Sequence, residues 1–270
     1  MTTNPAKQTT SYLFDNAGTQ VPDRFAALAA MYDPGSFRHL AAIGVRAGWH
    51  CLDIGAGGGS VARWLAERVA PGGSVLATDI DTRYLEHLAH PGVELRRHDI
   101  ATEPLPESSF DLIHTRLVLN HLPARDVALA KMVAALRPGG WLLLEEFDTE
   151  SMPTDPALNP AERRLTMETL QRRLLTARGA DLYLGRTLAG RLEKLGLTDV
   201  QAEGAVTFWR GGSPAAQLRR ANFEQIRQAA LATGEVTEAA IDADLAATDD
   251  PAVVNLSPVM WSVRGQRPGA

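Results

Sequence analysis

Strand-like and helix-like patterns of apolar residues alternate along the middle of this chain. Trp49 to Ile54 is a short apolar run that ends at a glycine cluster. Val61, Trp64, Leu65 and Val69 then recur at helical spacing until Pro71-Gly72-Gly73 stops them, with Ser60 placed to cap the helix. Val75 to Thr78 predicts a second strand ending at Asp79, and Thr82 to Ala89 a helix closed by Pro91-Gly92. Val93 to His98 predicts a third strand ending at Asp99, and Phe110 to Thr115 a fourth. Ala124 to Leu136 predicts a helix stopped by Arg137-Pro138-Gly139-Gly140, and Trp141 to Glu145 a fifth strand. Strict alternation of this kind predicts a parallel sheet covered by helices on both faces.

The flanks are less regular. Pro22 to Met31 predicts a helix, Tyr32-Asp33-Pro34-Gly35 a turn that ends it, and Phe37 to Ile43 a second short helix. Beyond Phe147, prolines at 153, 156 and 160 interrupt the pattern before an amphipathic stretch from Ala161 to Ala177. Leu188 to Leu195 predicts a helix, Val200 to Trp209 a strand, and Pro214 to Leu231 a long helix opened by a glycine turn. Thr237 to Ala247 predicts a last helix, Val253 to Val263 a final strand, and Arg264 to Ala270 a frayed tail.

Composition narrows the class. A chain of 270 residues with 45% hydrophobic residues can fill a core without staples. Cys51 is the one cysteine, so no intrachain disulfide can form, which fits a reducing cytoplasm. No basic stretch followed by an apolar run opens the chain, and none of it approaches the ~20 consecutive apolar residues of a membrane span. Net charge is −5, from 27 basic and 32 acidic residues, whereas a dedicated nucleic-acid binder carries a basic surplus. The expectation is a soluble cytoplasmic protein with a small-molecule partner, no nucleic acid and no membrane.

The chemistry gathers at the strand ends, where ligands of open parallel sheets bind. The first strand supplies Asp53 and then glycines at 55, 57, 58 and 59, which let the backbone turn and leave room for a ligand. The following helix turns free N–H groups and a positive dipole end toward that ligand. Asp79 lies twenty residues beyond Gly59, the distance at which an acid reaches ribose hydroxyls. Two ligands compete for such a site. The dinucleotide pattern places a third glycine where this chain has Ser60, and a pyrophosphate is poorly placed beside Asp53. A sulfonium cofactor with an α-amino group is positively charged and suits the same carboxylate. Asp79 can also cap a helix N-terminus, and Asp99 a turn.

Five segments in order carry a family resemblance: Leu52-Asp53-Ile54-Gly55-Ala56-Gly57-Gly58-Gly59, Ala77-Thr78-Asp79-Ile80, Arg97-His98-Asp99-Ile100, Phe110-Asp111-Leu112-Ile113-His114 and Leu136-Arg137-Pro138-Gly139-Gly140. From about Trp49 to Glu145 the chain resembles the class I S-adenosylmethionine-dependent methyltransferase core, most of all small-molecule enzymes of the ubiquinone/menaquinone biosynthesis type. The resemblance implies an α/β, doubly wound, Rossmann-like fold: a seven-stranded, mostly parallel sheet with one antiparallel strand and helical lid elements. It implies an N-terminal helical cap over 1–45, a cofactor-binding core over 46–150, and a C-terminal part over 151–270 that completes the sheet and inserts the lid helices.

The resemblance further implies roles. Asp53, Gly55, Ala56, Gly57 and Gly59 would hold the methionine part of S-adenosyl-L-methionine, and Asp79 the ribose. Ile80 would cover the adenine, Asp99 would accept from its amino group, Ile100 would offer a backbone N–H, and Thr115 would close near the sulfonium. A glutamate usual before the histidine of the post-strand segment is Asn120 here. His121 is the candidate catalytic base, since histidine titrates near neutral pH, with packing beneath the cofactor as the alternative. Tyr12, Tyr32, Arg116, Asn120, Glu146 and Trp209 are candidate substrate residues, with Phe14 and Trp261 as further pocket candidates. His98 and His114 sit inside strands and read as core or surface histidines. No residue cluster has metal-ligand spacing, so no metal is expected. The expected reaction is in-line methyl transfer to a small molecule. An NAD-linked oxidoreductase on a similar sheet and a non-catalytic binder of the cofactor are the alternatives.

Overall fold

The computed structural model describes residues 13, 21–86, 88, 90–149 and 167–269. Helix α1 (Val21–Ile43) leads into strand β1 (His50–Ile54), α2 (Ser60–Val69), β2 (Ser74–Asp79) and β3 (Val93–Arg97). Strand β4 (Phe110–Arg116), α3 (Arg125–Ala135) and β5 (Leu136–Asp148) complete the alternating part. Then follow α4 (Met167–Ala177), α5 (Leu184–Lys194), β6 (Thr198–Ala205), β7 (Phe208–Trp209), α6 (Pro214–Leu231), α7 (Glu238–Asp249), β8 (Asn255–Leu256) and β9 (Val259–Gln266).

Seven strands form one sheet in the order β3-β2-β1-β4-β5-β9-β6. The first five run parallel, and β9 pairs antiparallel with both β5 and β6. The expected doubly wound, mostly parallel sheet is therefore present. Its two faces follow the period-2 alternation of the strands. Leu52, Ile54, Ile113, Leu142 and Leu144 face one core with Leu129 and Met132 of α3 and Leu188 and Leu192 of α5. Cys51, Val75, Ala77, Leu112 and Leu143 face the other, with Leu65 and Val69 of α2 and Leu40 of α1. By the same alternation, Asp53, His114 and Glu145 belong to this second face. A separate cluster joins Leu170 and Leu175 of α4 to Phe223 and Ile226 of α6 and Ile241 and Leu245 of α7. Helix α1 packs along α6, which brings that helical layer over the strand ends. No described helix is long and apolar enough to cross a membrane.

Several elements differ from the expected ones. The turn predicted at Tyr32–Gly35 is absent, because α1 runs on through Pro34. Proline inside a helix removes a hydrogen bond and disfavours helix at the residue before it. Contacts on both sides of Pro34 outweigh that cost. The Tyr32 ring meets Phe147 edge-on at 5.5 Å, Phe37 stacks on Trp64 at 5.1 Å, and Asp33 and Ser36 are bonded to the sheet side. Ser60 is the first residue of α2 rather than its cap; Gly59 takes that position, and the Ser60 hydroxyl donates to Asp33 Oδ1 at 3.1 Å.

The helix expected at Thr82–Ala89 is a 3₁₀ turn over Thr82–Tyr84, capped by Asp81, with i→i+3 bonds at Leu85 and Leu88. Residues 87 and 89 lie outside the described set, as do residues 161–166 of the predicted Ala161–Ala177 helix. The Val200–Trp209 strand divides into β6 and β7. The tail is not frayed as far as Arg267: its N–H donates to the Gly140 carbonyl at 2.8 Å, and its guanidinium reaches the Ala134 carbonyl at 3.1 Å.

Candidate functional site

Strand β1 lies at the centre of the sheet, between β2 and β4, and the chain leaves it through the glycine loop. Gly55 and Ala56 donate to the Thr78 carbonyl at 2.8 and 3.0 Å, which ties the loop to β2. Gly55 has φ +69°, and a Cβ there would stand 2.2 Å from Val118 Cγ2; Gly57 has φ +55°, and its Cβ would stand 2.9 Å from Phe25 Cε1. The loop is thus pressed between α1 and the segment after β4, in a conformation glycine adopts freely.

Asp79 ends β2 and accepts from the Gly57 and Asp81 N–H groups, each at 3.0 Å. Burial pushes its carboxyl above the ordinary aspartate range, with those two bonds acting in the opposite direction. Asp99 bonds locally: Oδ1 accepts from the Ala101 N–H at 2.9 Å and Oδ2 from the Thr102 hydroxyl at 3.0 Å. A cavity of about 950 Å³ opens beyond these strand ends, and Asp53, Asp79, Ile80, Asp99 and Ile100 line it together with the loop.

Asp53 belongs to a buried polar cluster. Its Oδ1 lies 2.7 Å from Nδ1 of His114, and Nε2 of His114 lies 3.2 Å from Oε2 of Glu145. Strand register produces this, because Asp53 and His114 are Cα partners and Glu145 sits two residues past the partner of His114 on the next strand. Burial alone would push the imidazole down, but the bonds to Asp53 and Glu145 outweigh it and hold His114 up at about 9. Burial would likewise raise Glu145, yet His114, Arg116 and Ser36 hold it down at about 2. At neutral pH an imidazolium therefore sits between two carboxylates. Glu145 also accepts from the hydroxyls of Ser262, at 2.7 Å, and Ser36. Arg116 donates to Ser36 at 2.8 Å and to Asp33 at 2.9 Å, so the cluster is bolted to α1. The second oxygen of Asp53, Oδ2, is buried and has no hydrogen-bond partner in the structure.

A smaller annex adjoins the large cavity, with Arg24, Leu28, Leu117 and His121 lining both. Burial holds the His121 imidazole down at about 3, and the Arg24 guanidinium adds to that effect. Tyr32, Phe147, Trp209 and Phe223 supply aromatic wall to the annex.

With this geometry established, known proteins supply the comparison. Residues 52–144 match the family described as methyltransferase domain. Residues 52–144 form a methyltransferase domain. The chain is 34% identical over 126 residues to the ubiquinone/menaquinone biosynthesis C-methyltransferase of Hahella chejuensis, covering 44% of this chain and 49% of that protein. It is 35% identical over 148 residues to the methyltransferase str2 of Strobilurus tenacellus, covering 53% and 50%. The chain thus spans about half the length of these relatives. Among solved structures, its fold is similar to a Haemonchus contortus phosphoethanolamine N-methyltransferase holding phosphomonomethylethanolamine and S-adenosylhomocysteine. That likeness has a TM-score of 0.58 at 18% identity and covers 93% of this chain and 58% of the other. The YcgJ protein of Bacillus subtilis gives a TM-score of 0.57 at 16% identity, covering 87% and 98%.

The anticipated residues separate by position. Asp53, Gly55, Ala56, Gly57, Asp79, Ile80, Asp99, Ile100, Arg116 and His121 line the large cavity. Gly59 and Thr115 do not. Thr115 is fully buried in β4, and its hydroxyl makes no hydrogen bond. Tyr32, Asn120 and Trp209 line the annex. Glu146 is on neither wall: its Oε1 accepts from the Val118 and Leu119 N–H groups at 2.9 and 2.7 Å, and burial pushes its carboxyl up to about 8. It holds the segment after β4 rather than facing a ligand. Trp261 packs against the core on the α3 and α5 face, and Tyr12 and Phe14 lie outside the described residues. The residues that sequence reasoning missed are His114, assigned to core or surface, and Arg24. Asp53, His114 and Glu145 are polar residues in otherwise apolar strands on one alternation phase, which is the signal that could have paired them.

Proposed function

We propose that this chain transfers a methyl group from S-adenosyl-L-methionine to a small-molecule acceptor. The observation that carries this reading is Asp53 Oδ2, a buried carboxylate oxygen without a hydrogen-bond partner, on a residue that lines the cavity beside the glycine loop. An anionic pyrophosphate is disfavoured next to it, while an α-ammonium or sulfonium is favoured. Asp53 with Gly55, Ala56 and Gly57 would hold the methionine part, Asp79 the ribose, and Ile80, Asp99 and Ile100 the adenine. When bound, this cofactor supplies a methyl group already activated for displacement by its positive sulfur.

The chain's own residues then have to align the acceptor and keep water out. Helices α1 and α6 roof the annex, which supports a small acceptor over a macromolecule. His121, neutral at physiological pH, stands at the neck between the two cavities and can accept a hydrogen bond from an acceptor hydroxyl. The net charge of −5 supports the same choice against nucleic acid, and the single buried Cys51 supports a reducing compartment such as the cytoplasm. The division into a cap over 1–45, a core over 46–150 and a C-terminal part over 151–270 belongs to this proposal.

Calorimetric titration with S-adenosylmethionine, S-adenosylhomocysteine and NAD tests it. Both sulfur compounds should bind and NAD should not, and Asp53→Asn should weaken S-adenosylhomocysteine by about tenfold or more. Binding of NAD alone would overturn the reading. Release of S-adenosylhomocysteine with a panel of phenols, amines and polyketides tests turnover. Tight binding with no transfer to any of them would leave a non-catalytic binder.

A further inference from the structure

The annex beside His121 has a volume of about 140 Å³. A cavity of roughly 150 Å³ lined by apolar side chains takes up one benzene ring, so the space is that of a single ring. Aromatic walls from Tyr32, Phe147, Trp209 and Phe223 suit such a ring.

Several polar side chains on this wall are already engaged. Arg219 pairs with Glu168 at 3.2 Å, and Arg24 donates to Asn222 Oδ1 at 2.9 Å. The Ser257 hydroxyl donates to the Pro258 carbonyl at 2.9 Å, and burial keeps His121 uncharged at neutral pH. Asn120 differs. Its side chain belongs to a residue only 8% exposed, and its Oδ1 is buried without a hydrogen-bond partner in the structure. Its backbone is held from two directions: the N–H bonds to Glu146, and the carbonyl accepts from the Asp181 N–H at 2.9 Å. Asn120 is thus fixed on the annex wall with an amide oxygen unused, a cost that a donor on a guest would remove.

We infer that the annex seats the methyl acceptor and that Asn120 determines its specificity, by taking a neutral single ring that donates a hydroxyl or amino hydrogen to the amide oxygen. This rests on the methyltransferase reading, and it adds the size and polarity of the acceptor and the residue that selects it. The test is a set of ligand-observed NMR titrations of the full chain, with and without saturating S-adenosylhomocysteine. The probes are phenol, aniline, anisole, toluene, benzoate and 2-naphthol. Phenol or aniline should bind about fivefold more tightly than anisole and toluene, which have no hydrogen to donate, and the stronger of the two identifies the donor. Benzoate should bind more weakly, because its charge would be desolvated where the arginines are already engaged. The fused rings of 2-naphthol should bind more weakly than phenol. Asn120→Leu should reverse the order, with toluene ahead of phenol and aniline, while S-adenosylhomocysteine still binds.

Toluene, anisole, benzoate or 2-naphthol as the tightest wild-type probe would overturn the inference. So would an order unchanged in Asn120→Leu, or no ring binding by a chain that binds S-adenosylhomocysteine. If Asn120→Leu does not fold, the wild-type order and Asn120→Ala decide the matter in the same way. Failure of the wild type to bind S-adenosylhomocysteine would instead overturn the methyltransferase reading, and the annex's role as methyl-acceptor site would fall with it. The probe order measured without S-adenosylhomocysteine would then decide whether Asn120 selects a donor-bearing ring.

Discussion

Nδ1 of His114 stands 2.7 Å from Oδ1 of Asp53, and the two residues face each other across β4 and β1. The contact fixes one oxygen of the carboxylate and leaves the other unengaged in the structure. It also places a positive charge beside the carboxylate, on a residue that itself lines the large cavity.

Replacing His114 by Asn should weaken S-adenosylhomocysteine binding by about tenfold, because Asn can satisfy only one of the two carboxylates. The sign of the pH effect separates this from simple loss of packing. His114 is held at about 9 against an ordinary 6.5, so the stability it contributes is fully present below pH 6.5 and is lost as pH rises through 9. Denaturant titrations from pH 6 to 10 should show the wild type losing stability across that window relative to His114→Asn. Parallel curves for the two proteins would mean that no buried imidazolium exists.

Glu146 gives the opposite kind of variant, one that stabilises. Its carboxyl is raised from 4.5 to about 8, so ionising it in the folded state is unfavourable. The folded protein holds the proton more tightly, and stability falls as pH rises from 4.5 to 8. Glu146→Gln keeps an oxygen for the Val118 and Leu119 N–H groups and removes that dependence. Its melting temperature at pH 8 should exceed the wild type's by several degrees, and the gap should close near pH 5. A gap that stays constant with pH would contradict an uncharged Glu146 in the fold.

Gly57→Ala combines two costs. A left-handed backbone at φ +55° penalises a residue with a Cβ by roughly 1–2 kcal/mol, and the new methyl would push on Phe25. We expect a moderate loss of stability by thermal melting together with weaker S-adenosylhomocysteine binding, since the same loop lines the cavity proposed for the cofactor. Unchanged binding would place the cofactor elsewhere.

His121 at about 3 is too weakly basic to be half-protonated near neutral pH. Once an acceptor substrate is in hand, kcat should show no inflection from pH 5 to 8 that disappears in His121→Ala. His121→Gln, which keeps a hydrogen-bond acceptor, should recover much of what Ala loses. Recovery by neither Gln nor Asn, with an inflection lost in all three variants, would make His121 a true base.

The parallel core was legible because its strands are short apolar runs closed by acids or glycines, signals that are local in sequence. The acids at 53, 79 and 99 could be placed at one edge for the same reason. What escaped was set by distant contacts. Pro34 is a helix breaker on local grounds, and contacts with distant residues, such as Tyr32 against Phe147, Phe37 against Trp64 and Asp33 and Ser36 with Arg116, keep α1 continuous. His114 read as an isolated strand histidine because its partners lie 61 and 31 positions away. Glu146 stood at a strand end that often faces substrate, yet its face of β5 turns inward to the amides of Val118 and Leu119.

Helix α1 gives Phe25, Arg24 and Leu28 to one cavity and Leu28, Met31 and Tyr32 to the other, on a rod that Pro34 does not interrupt. Two ligands that each settle against one rod are coupled when binding orders that rod. In that case the first ligand bears the ordering cost, and the second binds more tightly by a factor that is the same in either order. A closed cycle of four affinities, cofactor product and acceptor each measured alone and in the other's presence, would read that factor directly. A factor of one would show that α1 is already rigid before either ligand binds.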